Sequence, residues 1–198
     1  MDDSSKSRES WRVFIAIDLP SLLRQRIAHH INRLRDSNPD ARASWGREEN
    51  LHLTLKFRGE IPVTTAEALS NAAQAAARAI DQFDLVVGGC GAFPAQAAPR
   101  VLWLGIEDPS GKLAALHRAI EDECERAGFA REPRDFHPHL TIARLRKPQG
   151  SRQLAAVHEE LGFSPEAVSV SQIVVIRSEL SSEGSRYTVL ARHPLQLK

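Results

Sequence analysis

Apolar positions along the chain fall into short runs whose spacing switches between that of a strand and that of a helix. Val13-Phe14-Ile15-Ala16-Ile17, closed by Asp18-Leu19-Pro20, is a continuous apolar run of strand length and predicts a buried strand. After Ser21 the spacing becomes helical: Leu22, Leu23, Ile27, Ile31 and Leu34 form a stripe that Asn38-Pro39 ends. Residues 51–57 alternate strictly, which predicts a half-buried strand, and Gly59 and Pro62 break it. A second helix starts at Thr64, at capping-box spacing from Glu67, and runs through an Ala-rich stretch to about residue 80. Residues 83–87 predict a strand ending at Gly88-Gly89.

The same order then recurs. Residues 101–106 read as a strand, and Ser110 opens a helix with Leu113, Leu116, Ile120 and Cys124 on one stripe and Gly128 as its C-cap. Residues 139–145 are a strand and 151–161 a short helix. Residues 168–176 and 187–190 are strands with a turn at Ser182-Glu183-Gly184 between them. Val13 matches Val101, His52 matches His139 and Thr64 matches Ser151, at offsets of 88, 87 and 87. The pattern predicts an α+β fold, a single bilobal domain over 11–198 made from a duplicated β-α-β-α-β unit. The pseudo-repeats lie near 11–92 and 99–198, behind a disordered tail at 1–10. Two similar lobes about a pseudo-two-fold axis set equivalent residues face to face across a groove.

Composition narrows the class. With 198 residues, 42% hydrophobic and 26% charged, the chain has a globular profile and buries enough surface, about 70%, to fold without a metal or disulfide. Lys and Arg number 26 against 25 Asp and Glu, a formal charge of +1. That balance argues against a non-specific grip on long nucleic acid and leaves room for a small anion held locally. Cys90 and Cys124 form neither a C-x-x-C pair nor a disulfide framework, as expected in a reducing compartment. Residues 1–10 lack an apolar signal-peptide core, and no stretch approaches about 18 uninterrupted apolar residues. A cytoplasmic protein without membrane contact is expected.

Matched positions of the two halves carry the candidate chemistry, His52-Leu53-Thr54-Leu55 and His139-Leu140-Thr141-Ile142. Eight His and five Thr in 198 residues give roughly 0.2 His-x-Thr pairs by random placement, so two at matched positions are a specific signal. Side chains at i and i+2 of a strand share a face, so His52, Thr54 and Lys56 are expected to project together, with Leu53, Leu55 and Phe57 in the core. His139 and Thr141 likewise face away from Leu140 and Ile142. Two imidazoles across a groove suit a reaction that needs one base and one acid near neutral pH, and phosphodiester cleavage is such a reaction. The base takes the proton of the attacking water, the acid protonates the departing oxygen, and attack and departure lie in line at phosphorus.

The Thr54 and Thr141 hydroxyls suit the non-bridging phosphate oxygens, and Lys56 and Arg144 add positive charge. Strict alternation from His139 points Arg144 away from the groove unless the strand bends or ends first. Phe136, ahead of the second motif, either stacks on a base or packs in the core. His137-Pro138-His139 has the form of a metal-binding His-x-His, but no carboxylate or cysteine stands at supporting spacing, so no metal and no cofactor is expected. His29, His30, His117, His158 and His193 are expected at the surface or on helix flanks. Glu121-Asp122-Glu123 and Glu159-Glu160 are expected on solvated helix faces. G-x-S-x-G, Walker A and G-x-G-x-x-G motifs do not occur in the sequence.

The chain resembles the 2H phosphoesterases, and within them the bacterial and archaeal RNA 2′,3′-cyclic phosphodiesterases, historically called 2′-5′ RNA ligases. The likeness covers nearly the whole chain after Ser10. It includes Phe14-Ile15-Ala16-Ile17-Asp18-Leu19-Pro20, Asn50-Leu51-His52-Leu53-Thr54-Leu55-Lys56-Phe57 and Arg100-Val101-Leu102-Trp103-Leu104-Gly105. It continues with Phe136-His137-Pro138-His139-Leu140-Thr141-Ile142-Ala143-Arg144, and with Ser178-Glu179-Leu180 ahead of Gly184 and Tyr187. Arg58 departs from the pattern, since relatives usually carry an apolar residue before the Gly-Glu.

The resemblance implies two antiparallel sheets lining a central cleft, with helices outside. It also implies metal-independent hydrolysis of RNA 2′,3′-cyclic phosphate ends, or of 2′,3′-cyclic nucleotides, to 2′-phosphates with O3′ leaving. By analogy His52 is the acid and His139 the base, although the reverse is chemically equivalent on the sequence alone. A monomer is expected. Two alternatives stand beside this reading. One is ATP-independent 2′-5′ RNA ligation, the same chemistry run backwards with a 5′-hydroxyl in place of water. The other is a non-catalytic RNA-end or nucleotide-binding module, against which the intact His and Thr of both motifs argue.

Overall fold

A computed structural model describes residues 9–95, 98–182 and 184–197. Most of the tail expected at 1–10, and Glu183 of the expected turn, lie outside the described residues, while Ser10 already belongs to a strand. The described residues form β1 (Ser10–Asp18), α1 (Ser21–Ser37), β2 (Ala43–Trp45), β3 (His52–Pro62), α2 (Ala66–Arg78), β4 (Phe83–Phe93) and β5 (Val101–Glu107). They continue with α3 (Lys112–Arg126), β6 (His139–Leu145), α4 (Ser151–Leu161), β7 (Glu166–Val170), β8 (Gln172–Ser181) and β9 (Gly184–Pro194).

The strands build two antiparallel sheets, ordered β3-β1-β8-β9 and β2-β6-β5-β4-β7. Helices α2 and α3 pack against each other and onto the first sheet, whereas α1 and α4 cover the second. This is the expected α+β architecture, with β3-β1-β8-β9 matched by β6-β5-β4-β7. The two halves of the chain are interleaved rather than set side by side. β4 comes from the first half yet lies in the second sheet, β8 and β9 close the first sheet, and α1 and α3 each cover the sheet opposite to the strand that precedes them. Among the described residues no helix is long and apolar enough to cross a membrane.

Burial on both faces explains the continuous apolar run of β1. Val13, Ile15 and Ile17 belong to the main core under the helices, whereas Phe14 and Ala16 join Val174 and Ile176 in a second cluster against which Tyr187 packs. On α1, Leu23, Ile27, Ile31 and Leu34 are buried as the stripe requires. Leu22, one residue and so about 100° away from Leu23 around the helix, is 71% exposed instead. Gly128 caps α3 as expected: its φ is +86°, its N–H donates to Glu125 O at 2.9 Å, and the Phe129 N–H donates to Cys124 O at 2.8 Å. The capping box at Thr64 does not form. A 3-10 turn over 63–65 precedes α2, and the Thr65 hydroxyl donates to Pro62 O.

Several strand boundaries differ from the pattern: Gly59 does not break β3, which pairs with β1 as far as Pro62, and β9 spans Gly184–Pro194 rather than 187–190. The expected strand over 168–176 is two strands in different sheets, parted at Ser171, whose carbonyl accepts the Leu195 N–H. Apolar runs of β7 and β8 adjoin with no Gly or Pro between them, so periodicity alone fuses them. Gly88-Gly89 does not end β4. Gly89 takes φ +67° in a β-bulge, and the strand continues to Phe93 with Cys90 turned toward the helices.

Candidate active site

β3 is an edge strand of the first sheet and comes against β6 of the second, and each begins with the histidine of its motif. His52 Nδ1–H donates to Asn50 O at 2.7 Å, and His139 Nδ1–H donates to His137 O at 2.7 Å. A carbonyl only accepts, so in both neutral rings the proton sits on Nδ1 and the lone pair on Nε2. Each histidine is therefore oriented by the carbonyl two residues upstream of it. The Thr54 hydroxyl donates to His52 Nε2 at 3.0 Å.

Aromatic rings wall both imidazoles. His52 stacks on Phe14 at 4.6 Å between centroids, with the Tyr187 ring edge-on at 5.4 Å. Burial lowers the His52 pKa below its ordinary 6.5, opposed by the Asn50 hydrogen bond and by the carboxylate of Asp18, its partner across the β1–β3 pair. That carboxylate is held in turn by Arg24 at 2.8 Å and Arg192 at 3.6 Å. His139 meets Phe93 edge-on at 5.3 Å, and Phe93 lies 5.1 Å from the Trp103 ring. Only a glycine fits at Gly91 beneath that indole, because a Cβ there would lie 2.2 Å from Trp103.

An extra residue in each motif strand decides which neighbours share the face of its histidine. In β3 the partners run Thr54↔Ala16 and then Lys56↔Ile15, leaving Leu55 in a bulge; in β6 they run Thr141↔Trp103 and then Ala143↔Leu102, leaving Ile142 in one. A one-residue slip turns the following side chains to the opposite face. Lys56 and Ala143 are accordingly buried, while Phe57 and Arg144 are exposed on the side of the histidines.

The expectation that Lys56 faces the groove as a phosphate ligand is thus corrected. Its ammonium donates to both Glu121 carboxylate oxygens at 2.6 Å and to Ala130 O at 3.2 Å, with the side chain 1% exposed. Glu121, expected on a solvated face, is the buried partner, and it also accepts the Glu132 N–H. Arg144 follows the bent-strand alternative: it is exposed beyond the bulge and has no ion-pair partner among the described residues. Of the two readings of Phe136, the packing one fits its surroundings, since its ring stacks on His117 at 3.9 Å and packs against the core. His30, His158 and His193, expected near the surface, are buried.

Phe14, Tyr187, Phe93 and Trp103 shape the site without having been singled out for a role in it. Alternation marks Phe14 only as buried, and the other three reach the histidines through strand pairings that no local pattern reveals. Asn50 and Tyr187, both in contact with His52, also line an open groove of ≈ 610 Å³ that includes Arg47 and Arg186.

Comparison with known proteins places this geometry. A curated relative from Methanothermobacter thermautotrophicus, named RNA 2′,3′-cyclic phosphodiesterase, is 34% identical over 180 residues, covering 89% of this chain and 95% of that protein. The Escherichia coli K12 protein of the same name is 32% identical over 190 residues, covering 94% of this chain and 98% of its own. The crystal structure of E. coli LigT complexed with 3′-AMP superposes with a TM-score of 0.72 at 30% identity, covering 95% of this chain and 99% of that chain. The family model of the 2′-5′ RNA ligase superfamily matches residues 23–181. With its two matched His-x-Thr strands, the chain belongs to the 2′-5′ RNA ligase superfamily.

Proposed function

We propose that this protein hydrolyses 2′,3′-cyclic phosphates at RNA ends and in cyclic nucleotides, leaving a 2′-phosphate. The observation that carries this reading is the matched pair of imidazoles, each fixed through Nδ1 and offering Nε2. His139 Nε2 takes a proton from water as its oxygen attacks phosphorus. The P–O3′ bond breaks, and protonated His52 delivers its Nε2 proton to O3′. Thr141 and Thr54 donate to the non-bridging oxygens, Thr54 turning from His52 Nε2 once that nitrogen carries a proton. Arg144 adds charge beside them. The relatives' shared name supports the same substrate class. Two free thiols, Cys90 and Cys124, support a cytoplasmic setting.

His52 as a proton carrier has a testable pH signature. Its protonated form is lost as pH rises through a pKa that burial places below 6.5, and Asp18 is the charge that holds that pKa up. Asp18→Asn is therefore expected to move one limb of the bell-shaped kcat/KM profile to lower pH. A limb that stays in place or moves to higher pH contradicts the His52 assignment.

Both proton carriers are imidazoles, so excess EDTA is expected to leave turnover unchanged. Loss of activity restored by a divalent ion would reassign His137 and His139 to a metal site. The assay that tests the reading uses 2′,3′-cyclic AMP and cyclic-phosphate-ended RNA. Adding RNA with a 5′-hydroxyl to the same assay separates hydrolysis from ligation.

A further inference from the structure

Behind the second sheet, on the side away from the cleft, three side chains from distant parts of the sequence converge. His30 comes from α1, His158 from α4 and Cys90 from β4, and their candidate ligand atoms all lie within 4.8 Å of one another. His30 is 4% exposed and His158 0%. The bulge at Gly89 is what turns Cys90 to this side of the sheet.

The tautomers turn the His158 lone pair inward, with the His30 Nε2–H donating to it. His158 Nε2–H donates to Trp103 O at 3.0 Å, which leaves the Nδ1 lone pair pointing at His30 Nε2, 3.0 Å away. A backbone carbonyl on the outer nitrogen is the usual support of a metal-ligating histidine, since it fixes both tautomer and ring orientation. Two nitrogens bound about 2.0–2.1 Å from one tetrahedral ion lie about 3.3 Å apart, so the nitrogen pair at 3.0 Å needs only a slight opening, while separations of up to 4.8 Å within the trio must close on binding.

We propose that His30 Nε2, His158 Nδ1 and Cys90 Sγ form a binding site for a thiophilic closed-shell cation, Zn2+ or Cu+, clamping α1, α4 and β4 together. This site is independent of the phosphodiesterase reading. Burial, with the neighbouring His158, pushes the His30 pKa down to about 4, and burial also lowers that of His158, so both rings are neutral as ligation requires. Burial pushes the Cys90 thiol up to about 11, so it gives up its proton only as the cation binds. Each ion bound therefore releases one proton, and His30 moves its own proton to Nδ1 so that Nε2 can coordinate. Three ligands complete a trigonal Cu+ site of zero net charge, whereas Zn2+ keeps a fourth position for water.

The test uses the full chain, reduced and stripped of metal. Co2+ is titrated as the spectroscopic probe, followed by Zn2+ competition and, under anaerobic conditions, Cu+ competition against a colorimetric chelator. One equivalent of Co2+ is expected to give a thiolate-to-cobalt charge-transfer band that the preferred ion displaces. Cys90→Ser is expected to abolish the band and weaken that ion by at least tenfold, while Cys124→Ser and His139→Ala retain it. The preferred ion is also expected to raise the Tm of the wild type and not of Cys90→Ser, whose metal-free Tm shows that it folds. Absence of the band in the wild type overturns the proposal, as does its survival in Cys90→Ser or its loss in Cys124→Ser or His139→Ala. An equal Tm shift in wild type and Cys90→Ser overturns it too.

Discussion

His52→Ala and His139→Ala are each expected to lower kcat by about 10²- to 10⁴-fold while the protein stays folded. Neither side chain is part of the main core, and each ring contributes a proton-carrying Nε2 that alanine cannot replace. The two losses should not add, because a base without its acid, or the reverse, leaves the same in-line displacement half catalysed. Thr54→Ala and Thr141→Ala remove one donor to the phosphate each and should cost less. Measured turnover of purified variants against 2′,3′-cyclic AMP, with circular dichroism to confirm folding, checks this. Near-wild-type turnover in either histidine variant rejects the pairing of the two motifs.

The largest expected effect on stability is at Lys56. Replacing it with Met leaves the Glu121 carboxylate buried without its cation, and breaking one side of such a pair costs about 3–5 kcal/mol. In a chain of this size that corresponds to a Tm lower by about 6–20 °C. Lys56→Met combined with Glu121→Leu should recover much of the loss, because two apolar side chains of similar volume carry no unpaired charge. The recovery stays incomplete, since Glu121 also accepts the Glu132 N–H and Lys56 also donates to Ala130 O. Thermal melts of the single and double variants decide it. A single variant that melts with the wild type would show that the pair contributes nothing, and a double variant no better than the single would place the cost elsewhere.

The legible and illegible parts of this protein divide by the range of the information. Helical stripes such as Leu113, Leu116, Ile120 and Cys124, the Gly128 cap and the two His-x-Thr strands are written within one turn or one strand, and each is found where the sequence puts it. The bulges at Leu55 and Ile142 are not, because an extra residue puts two successive side chains on the core side, Leu55 with Lys56 and Ile142 with Ala143, and the strand resembles ordinary alternation until the partner strand is known. That single feature exchanges Lys56 for Phe57 on the face of His52 and brings Arg144 to the face of His139. The interleaving of the halves is similarly invisible, since it depends on which sheet β4 and β8 join rather than on what they are made of. His30 and His158 look like helix-flank residues in sequence, and only the packing of α1 against α4 beneath β4 shows them to be buried against each other.

The central claim is in-line hydrolysis by an imidazole pair with O3′ leaving, and the identity of the product tests it most directly. Purified protein is incubated with 2′,3′-cyclic AMP and with cyclic-phosphate-ended RNA near neutral pH, and the phosphomonoester is assigned by phosphorus NMR against authentic standards. The expected result is the 2′-phosphate from both substrates, because a ribose fixed with O3′ toward the acid admits one in-line displacement. A product rich in 3′-phosphate, or no turnover of either substrate, contradicts it.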